Sequence, residues 1–235
     1  GNFHHRVVLI TGVEHATMVE IDRSVVEMSR THLPSLSNGA FDDARLDLVI
    51  ADGAKFVAET DRRFDVIECG GVLHHMADPL AGWKILNGLL KPGGVMKIGL
   101  YSETARQDVV AARTFIAEQG YMSTPEGIRQ CRDAIAELAH KGVTEMQSIV
   151  SRNSFFTMSE LRDLLFHVQE HRFTLPHIQE ALQMLGLDFL GFEFGDSQTA
   201  RQYKGASTSL KDWHQFEREH PETFSAMYQF WVRKR

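Results

Sequence analysis

Apolar residues of this chain fall into short runs separated by polar stretches, and the runs have the length and spacing of buried β-strands. Between several of them, apolar residues recur every three to four positions, as they do on the buried face of a helix. This alternation predicts an α/β fold with a mostly parallel sheet. The predicted strands are 6–10, 16–22, 45–50, 64–67, 95–101, 187–194 and 227–232.

The stretch 64–101 predicts the central unit of this fold, namely a strand, a glycine turn, a helix and a second strand. The apolar run 64–67 ends in Glu-Cys-Gly-Gly at 68–71, and the Asp-Pro pair at 78–79 is typical of a helix N-terminus. In open α/β sheets, ligands bind where the carboxyl ends of strands meet such loops. The sequence therefore predicts a ligand site that begins at Glu68.

Three motifs in this stretch resemble the fourth and fifth strands of class I S-adenosylmethionine-dependent methyltransferases. They are Phe-Asp-Val-Ile at 64–67, Gly-Val-Leu-His-His-Met-Ala-Asp-Pro at 71–79 and Leu-Lys-Pro-Gly-Gly at 90–94. From there to the last residue, the chain resembles the methyltransferase part of bacterial proteins that also carry tetratricopeptide repeats. The resemblance implies S-adenosylmethionine as cofactor.

The same resemblance implies a Rossmann-like fold of seven mostly parallel strands in which only the last strand is reversed. It implies one domain over 1–235, with a helical insertion at 104–173 between strands five and six that covers the substrate. Within the insertion, apolar spacing and capping residues predict helices over 104–119, 125–141 and 159–171.

The first third of the chain resembles a second family, spermidine synthase. The motifs are Arg-Val-Val-Leu-Ile at 6–10, Val-Glu-His-Ala-Thr-Met-Val-Glu-Ile-Asp-Arg at 13–23 and Ala-Asp-Gly-Ala-Lys-Phe-Val at 51–57. In that family a glycine-rich loop and a helix follow the first strand, whereas here only residues 11–13 separate the first strand from the segment 14–22 that contains the second. Parallel neighbours need a crossover of about a dozen residues, so the link predicts a hairpin, a bent segment or a spatial gap. A natural deletion, an engineered or recombined chimera and a missing segment all remain open.

The residues that follow the second and third strands are candidates for binding the cofactor. Glu20 ends the second predicted strand, and both resemblances imply that it binds the ribose; the alternative is a solvent-facing acid. The resemblance implies that Asp52 accepts from the adenine amino group, with Gly53 allowing close approach of the backbone. The alternative for Asp52 is a helix cap.

The residues that follow the fourth strand complete the predicted site. Glu68, Cys69 and Gly70 are predicted to line the cofactor, and they stand where spermidine synthases carry an aspartate loop that acts on the amine. The missing aspartate favours methyl transfer over aminopropyl transfer. His74 and His75 are the candidate catalytic residues, since an imidazole is a suitable base near neutral pH. A structural role beside the cofactor is the alternative.

A His-x-x-Glu-His pattern at 167–171 is the one match to a metal-binding motif. The pattern is short, its surroundings resemble a methyltransferase, and a cap over the substrate is the preferred interpretation. No metal site is predicted.

Bulk properties narrow the class of partner. A formal net charge of −6 provides no basic face for nucleic acid, and two cysteines without a Cys-x-x-Cys pair favour a reducing compartment. The absence of an apolar run of about 18 residues predicts a cytoplasmic protein away from the membrane. The predicted function is methyl transfer from S-adenosylmethionine to a small-molecule or protein acceptor, with the oligomeric state open. The alternatives are a polyamine aminopropyltransferase and an inactive protein of the methyltransferase fold that binds no cofactor.

Overall fold

The computed structural model describes residues 12–32, 40–194 and 198–235. The chain divides into two compact units, Gly1–Arg62 and Arg63–Arg235, and each is described by itself. The predicted first strand, 6–10, and Thr11 of the short link lie outside the described residues.

The described residues of the first unit form two parallel strands and two α-helices. Strands β1 (Ala16–Glu20) and β2 (Leu46–Ile50) pair in register from Ala16 opposite Leu46 to Glu20 opposite Ile50. Helix α1 spans Arg23–His32 and helix α2 spans Gly53–Glu59. Because the strands are parallel, their carboxyl ends lie at the same edge of the pair.

The second unit contains a four-stranded sheet with the order β3-β4-β6-β5. Strands β3 and β4 are parallel, and β6 is antiparallel to both of its neighbours, β4 and β5. The reversed last strand is therefore confirmed. The strands are β3 (Phe64–Gly70), β4 (Leu90–Tyr101), β5 (Leu187–Phe192) and β6 (Met227–Lys234).

The predicted sheet of seven mostly parallel strands is wrong for the described part of the chain. Its strands form one sheet of two and one of four, and the larger sheet is mixed. The physical reason is that β6 bonds antiparallel partners on both sides, so only β3 and β4 form a parallel pair there. The coarser prediction, an α/β fold, agrees with the structure.

Helices of the second unit begin at the residues that the sequence marks as caps. Asp78, Thr124, Thr157 and Thr174 each accept a hydrogen bond from the backbone N–H three residues on, which satisfies a donor that the helix leaves unpaired. The helices are α3 (Pro79–Leu89), α4 (Gln107–Gln119), α5 (Pro125–His140), α6 (Thr144–Val150), α7 (Met158–Phe166), α8 (Leu175–Leu185) and α9 (Leu210–Glu219).

Two apolar cores stabilise this unit. One lies between the sheet and its helices and includes Trp83, Ile98 and Phe230. The other lies within helices α4 to α7 and includes Cys131 and Ile149. The helical segment therefore has a core of its own. Each fully buried aliphatic side chain in it stabilises the fold by about 1.5–3 kcal/mol.

The helix predicted over 159–171 is shorter than expected. Helix α7 ends at Phe166, and residues 167–173 are not helical. Phe173 N–H donates to the Tyr101 carbonyl at 2.8 Å, and Glu103 N–H donates to the Phe173 carbonyl at the same distance. These bonds replace the helical ones. The two histidines of the His-x-x-Glu-His pattern are therefore not one helical turn apart.

In the part of the chain that the structure describes, no helix has both the length and the apolar character needed to cross a membrane.

Candidate functional site

Glu20 and Asp52 follow neighbouring parallel strands of the first unit. Glu20 is the last residue of β1, and one of its carboxylate oxygens accepts from Asp22 N–H at 3.0 Å. Asp52 caps helix α2, with one oxygen accepting from Lys55 N–H at 3.0 Å. The helix-cap interpretation of Asp52 is thus observed, and the second oxygen of each carboxylate has no hydrogen-bond partner among the described residues.

Gly53 begins helix α2, where an added Cβ would have no other atom within 4 Å. The space beside its backbone is open. This is the space that close approach of a ligand to the backbone requires.

Glu68, Cys69 and Gly70 lie within strand β3, where the sequence predicted a loop. Burial raises the pKa of the Cys69 thiol to about 11, which keeps it protonated and unreactive at neutral pH. Gly70 packs closely on β4, since a Cβ at Gly99 would lie 3.0 Å from the Gly70 Cα.

Glu68 is a nearly buried carboxylate paired with a lysine on the adjacent strand. Its Oε1 lies 3.3 Å from Lys97 Nζ, which is also 2.8 Å from Glu193 Oε1. The other oxygen, Oε2, is buried and has no hydrogen-bond partner among the described residues. Burial raises the pKa of Glu68 to about 7, although Lys97 opposes the shift. The carboxyl group therefore changes charge near neutral pH.

His74 is buried in the short 3-10 helix Leu73–His75, between β3 and α3. Its ring stacks on Tyr101 with the centroids 3.6 Å apart. The guanidinium carbon of Arg106 lies 3.6 Å from the same Tyr101 centroid. Two groups that both lie 3.6 Å from the ring centroid cannot occupy the same face, so His74 and Arg106 pack on opposite faces of Tyr101.

The surroundings of His74 keep its ring uncharged. Burial, together with the smaller effects of His75 and Arg106, lowers the pKa of His74 to about 3, and a backbone contact with Gly99 opposes the shift. Neither ring nitrogen makes a hydrogen bond of standard geometry within the described structure. His74 is a poor proton acceptor at neutral pH, and its contact with Tyr101 favours a positioning role.

His75 is better suited to accept a proton. Its Nδ1 lies 3.0 Å from the Gln169 carbonyl, which can only accept, so Nδ1 carries the hydrogen and Nε2 has the lone pair. The same carbonyl lies 2.8 Å from Nδ1 of His167, whose ring centroid is 3.9 Å from that of His75. The Gln169 carbonyl therefore fixes the tautomer that a base requires.

An ion-pair network holds the segment 167–173 against this histidine turn. Glu170 is 2% exposed and accepts two hydrogen bonds from Arg106, at 2.6 and 3.0 Å. Arg113 and Arg172 lie 3.7 and 3.8 Å from the same carboxylate. In addition, His171 N–H donates to the His74 carbonyl at 2.8 Å.

Sequence reasoning missed Tyr101, Arg106 and the role of Glu170. Arg106 and Glu170 are 64 positions apart, and nothing in their neighbouring residues indicates that they pair. Their contact depends on the non-helical path of 167–173, which no local pattern predicts. Among the described residues, no group of three His, Cys, Asp or Glu side chains is arranged to hold a metal ion.

Comparison with known proteins finds a family match in sequence within the first third of the chain. Residues 1–71 match the family described as the spermine/spermidine synthase domain. A polyamine aminopropyltransferase from Ruegeria sp. (strain TM1040) is 58% identical over 67 residues, which is 28% of this chain and 24% of that protein. One from Pseudomonas syringae pv. tomato is 53% identical over 74 residues, 32% of this chain and 24% of that protein. The chain thus spans about a quarter of the length of these relatives.

The fold extends the comparison to nearly the whole chain. The structure of PKMT2 from Rickettsia typhi in complex with AdoHcy superimposes with a TM-score of 0.65 at 12% identity, covering 94% of this chain and 45% of that one. This supports the methyltransferase-type α/β fold, and identity at this level shows the fold alone. The first third is similar in sequence to spermidine synthase, as predicted.

Proposed function

We propose that this protein transfers a carbon group from an S-adenosyl sulfonium donor to an amine, with aminopropyl transfer as the first candidate reaction. The observation that carries the proposal is the match of residues 1–71 to the spermine/spermidine synthase domain. The curated relatives that match this region are polyamine aminopropyltransferases. The predicted aminopropyl alternative is therefore better supported than methyl transfer.

The residues of the first unit suit the nucleoside end of such a donor. The unpartnered oxygen of Glu20 would accept from the ribose hydroxyls, and that of Asp52 from the adenine amino group. Gly53 provides open space beside the backbone at the start of α2. Both carboxylates end parallel strands at one edge, the location at which α/β sheets bind ligands.

The reaction requires little acid–base catalysis from the protein. When bound, the sulfonium donor supplies an electrophilic carbon; the amine lone pair forms the C–N bond, and the electrons of the broken C–S bond stay on sulfur. The nitrogen then loses a proton to solvent. Most of the rate enhancement comes from holding donor and amine in line.

Methyl transfer is the second candidate, and two observations favour it. The fold match is to a protein solved with AdoHcy, the product of a methyl donor. Strand β3 carries Glu68, Cys69 and Gly70 where spermidine synthases carry an aspartate loop. In this reaction Glu20, Asp52 and Gly53 would bind S-adenosylmethionine.

A comparison of donors tests both candidates. The purified chain is titrated by calorimetry with decarboxylated S-adenosylmethionine and with S-adenosylmethionine, and products with a diamine are identified by mass spectrometry. We expect aminopropylated amine from the decarboxylated donor. Methylated amine from S-adenosylmethionine would establish the second candidate, and binding of neither donor would overturn both.

The Glu20→Ala variant tests the donor site. Loss of the carboxylate leaves the ribose hydroxyls without a hydrogen-bond acceptor and should weaken donor binding by about 1–3 kcal/mol. The matched control is Glu27→Ala, which removes an exposed acid of the same unit. Equal donor affinity in the two folded variants would remove Glu20 from the site.

A further inference from the structure

Residues 167–172 form a strap that crosses the histidine turn Leu73–His75 and is attached to it by polar contacts. His171 N–H donates to the His74 carbonyl at 2.8 Å, and the Gln169 carbonyl lies 3.0 Å from Nδ1 of His75. The apolar residue of the strap, Val168, is 98% exposed. The strap is therefore held without the burial of an apolar side chain, and opening it exposes little apolar surface.

Both ends of the strap are fixed to the second unit. Helix α7 ends at Phe166, immediately before the strap. At the other end Phe173 is buried, its N–H donates to the Tyr101 carbonyl, and its carbonyl accepts from Glu103 N–H, both at 2.8 Å. The strap can thus lift between two anchors while the fold around it stays in place.

His74 is the titratable group that the closed strap and turn keep from water. Its side chain is completely buried, one face of its ring stacks on Tyr101, and neither ring nitrogen makes a hydrogen bond of standard geometry within the described structure. A protonated imidazole carries two N–H donors. A buried donor without a partner is costly, so the charged ring requires the water that only an open turn admits.

Charged and titratable groups face the histidine turn from the described elements packed around it. They are Cys69 of β3, Tyr101 of β4, Arg106 at the start of α4, Arg113 of α4, Asp163 of α7, and His75, His167, Glu170, His171 and Arg172 of the turn and the strap. Helix α3 also packs on the turn, and its cap Asp78 and its Lys84 are exposed. Burial is the main cause of the low pKa of His74, about 3, and His75, Arg106 and His167 contribute to it. Burial and these neighbours therefore disfavour a proton on His74 in the closed form.

We propose that the strap and the histidine turn act as a proton-gated lid at the carboxyl end of β4, which opens when the His74 ring takes up a proton and closes when the ring loses it. The contacts from His171 and Gln169 join strap and turn, so the two open together. The inference concerns the second unit alone and does not depend on the proposed function.

Linkage gives the direction and size of the pH effect. The pKa of His74 is about 3 in the closed form, and in the open, hydrated form it returns to the ordinary 6.5. The closed form is therefore fully favoured above pH 6.5, and the opening equilibrium shifts toward the open form as pH falls from 6.5 toward 3. The opening constant should be roughly 30-fold larger at pH 5 than at pH 7.5.

Amide hydrogen exchange of the whole chain, followed by NMR at these two pH values and corrected for the intrinsic exchange rate, tests the lid. The reporter is His171 N–H, which bonds the His74 carbonyl, and the reference is Phe173 N–H at the fixed end. We expect protection at His171 to fall roughly 30-fold between pH 7.5 and pH 5. Protection at Phe173 should change much less.

His74→Phe keeps an aromatic ring on Tyr101 but cannot be protonated, so it should abolish the pH response at His171. His140→Phe is the matched control, because it makes the same change at an exposed position on α5 and should leave the full response. Circular dichroism and the melting temperature establish that each variant is folded. If His74→Phe does not fold, His74→Gln makes the same test.

Two results would overturn the inference. In the first, corrected exchange at His171 in the wild type is equal at the two pH values. In the second, a folded variant without the His74 imidazole keeps the response of the wild type, which would assign the titration to another group, such as His75 or His167. Both measurements are made without a sulfonium donor, so neither result bears on the proposed function.

Discussion

At the scale of single residues, the network around Glu170 makes a stability prediction. Arg106 is 3% exposed and its charge is balanced by Glu170. Glu170→Gln leaves a buried guanidinium without a counter-charge, so the free energy of unfolding in urea should fall by about 3–5 kcal/mol. Glu137→Gln is the control, because Glu137 and Lys141 form an exposed i,i+4 pair. Its loss should cost less than about 0.5 kcal/mol, and equal effects of both substitutions would contradict the buried-pair argument.

Glu68 makes a prediction about pH. Burial holds its pKa at about 7 in the folded protein, above the ordinary value of 4.5. The folded state therefore binds the proton more tightly than the unfolded state does, and this stabilisation is present below pH 4.5 and lost as pH rises to 7. The loss is roughly 3 kcal/mol.

Glu68→Gln keeps the shape of the protonated side chain and cannot ionise. Urea unfolding between pH 4.5 and 8 should show the wild type losing stability relative to this variant as pH rises. Parallel curves for the two proteins would mean that Glu68 is ionised throughout and held by Lys97.

At the scale of elements, glycines in two helices predict opposite effects of the same substitution. A Cβ at Gly127, in the first turn of α5, would collide with the carbonyl oxygen of Met122, whereas one at Gly88, in α3, would meet nothing within 4 Å. Gly127→Ala should therefore destabilise the fold by about 1–3 kcal/mol. Gly88→Ala should stabilise it by about 0.5–1 kcal/mol, since alanine loses less backbone entropy in a helix. Thermal unfolding of both variants checks the pair, and a shift in the same direction would contradict the packing argument.

Elements whose signals are local were predictable from the sequence, and those set by distant contacts were not. Asp78, Thr124 and Thr174 mark helix starts because each caps a backbone N–H only three residues away. The path of 167–173 is set by bonds to Tyr101 and His74, which are distant in sequence, so a helical pattern was extended wrongly through it. The same distinction holds for the candidate site. Glu20 and Asp52 could be predicted because they follow strands in the sequence. The packing of Tyr101 between His74 and Arg106 could not be predicted, because these residues are distant in sequence.

At the scale of the whole molecule, strand pairing limited what the sequence predicted. Among the described residues, six of the seven predicted strands were found near their expected places, whereas 6–10 lies outside these residues. The grouping into sheets, however, depends on hydrogen bonds between residues far apart. Family resemblance supplied one sheet of seven strands, and the described residues form two sheets instead. The sequence match to the spermine/spermidine synthase domain ends at residue 71, whereas the likeness of fold covers 94% of the chain.

The two units should differ in local stability, and hydrogen exchange measures this difference. Among the described residues of the first unit, Met18 and Val26 are the buried apolar side chains, whereas β4 alone buries Met96, Ile98 and Leu100 completely. Local opening costs less where fewer apolar contacts break, so amides of β1 and β2 should exchange at least about tenfold faster than those of β4 and β6. A donor that binds through Glu20 and Asp52 should slow exchange in β1 and β2, by about 2.7 kcal/mol of added protection at a hundredfold excess over its Kd. Mass spectrometry of peptides from the intact chain, with and without each sulfonium donor, resolves both effects. Equal protection of the two sheets would contradict the burial argument, and protection gained only in β4 and β6 would place the donor away from Glu20 and Asp52.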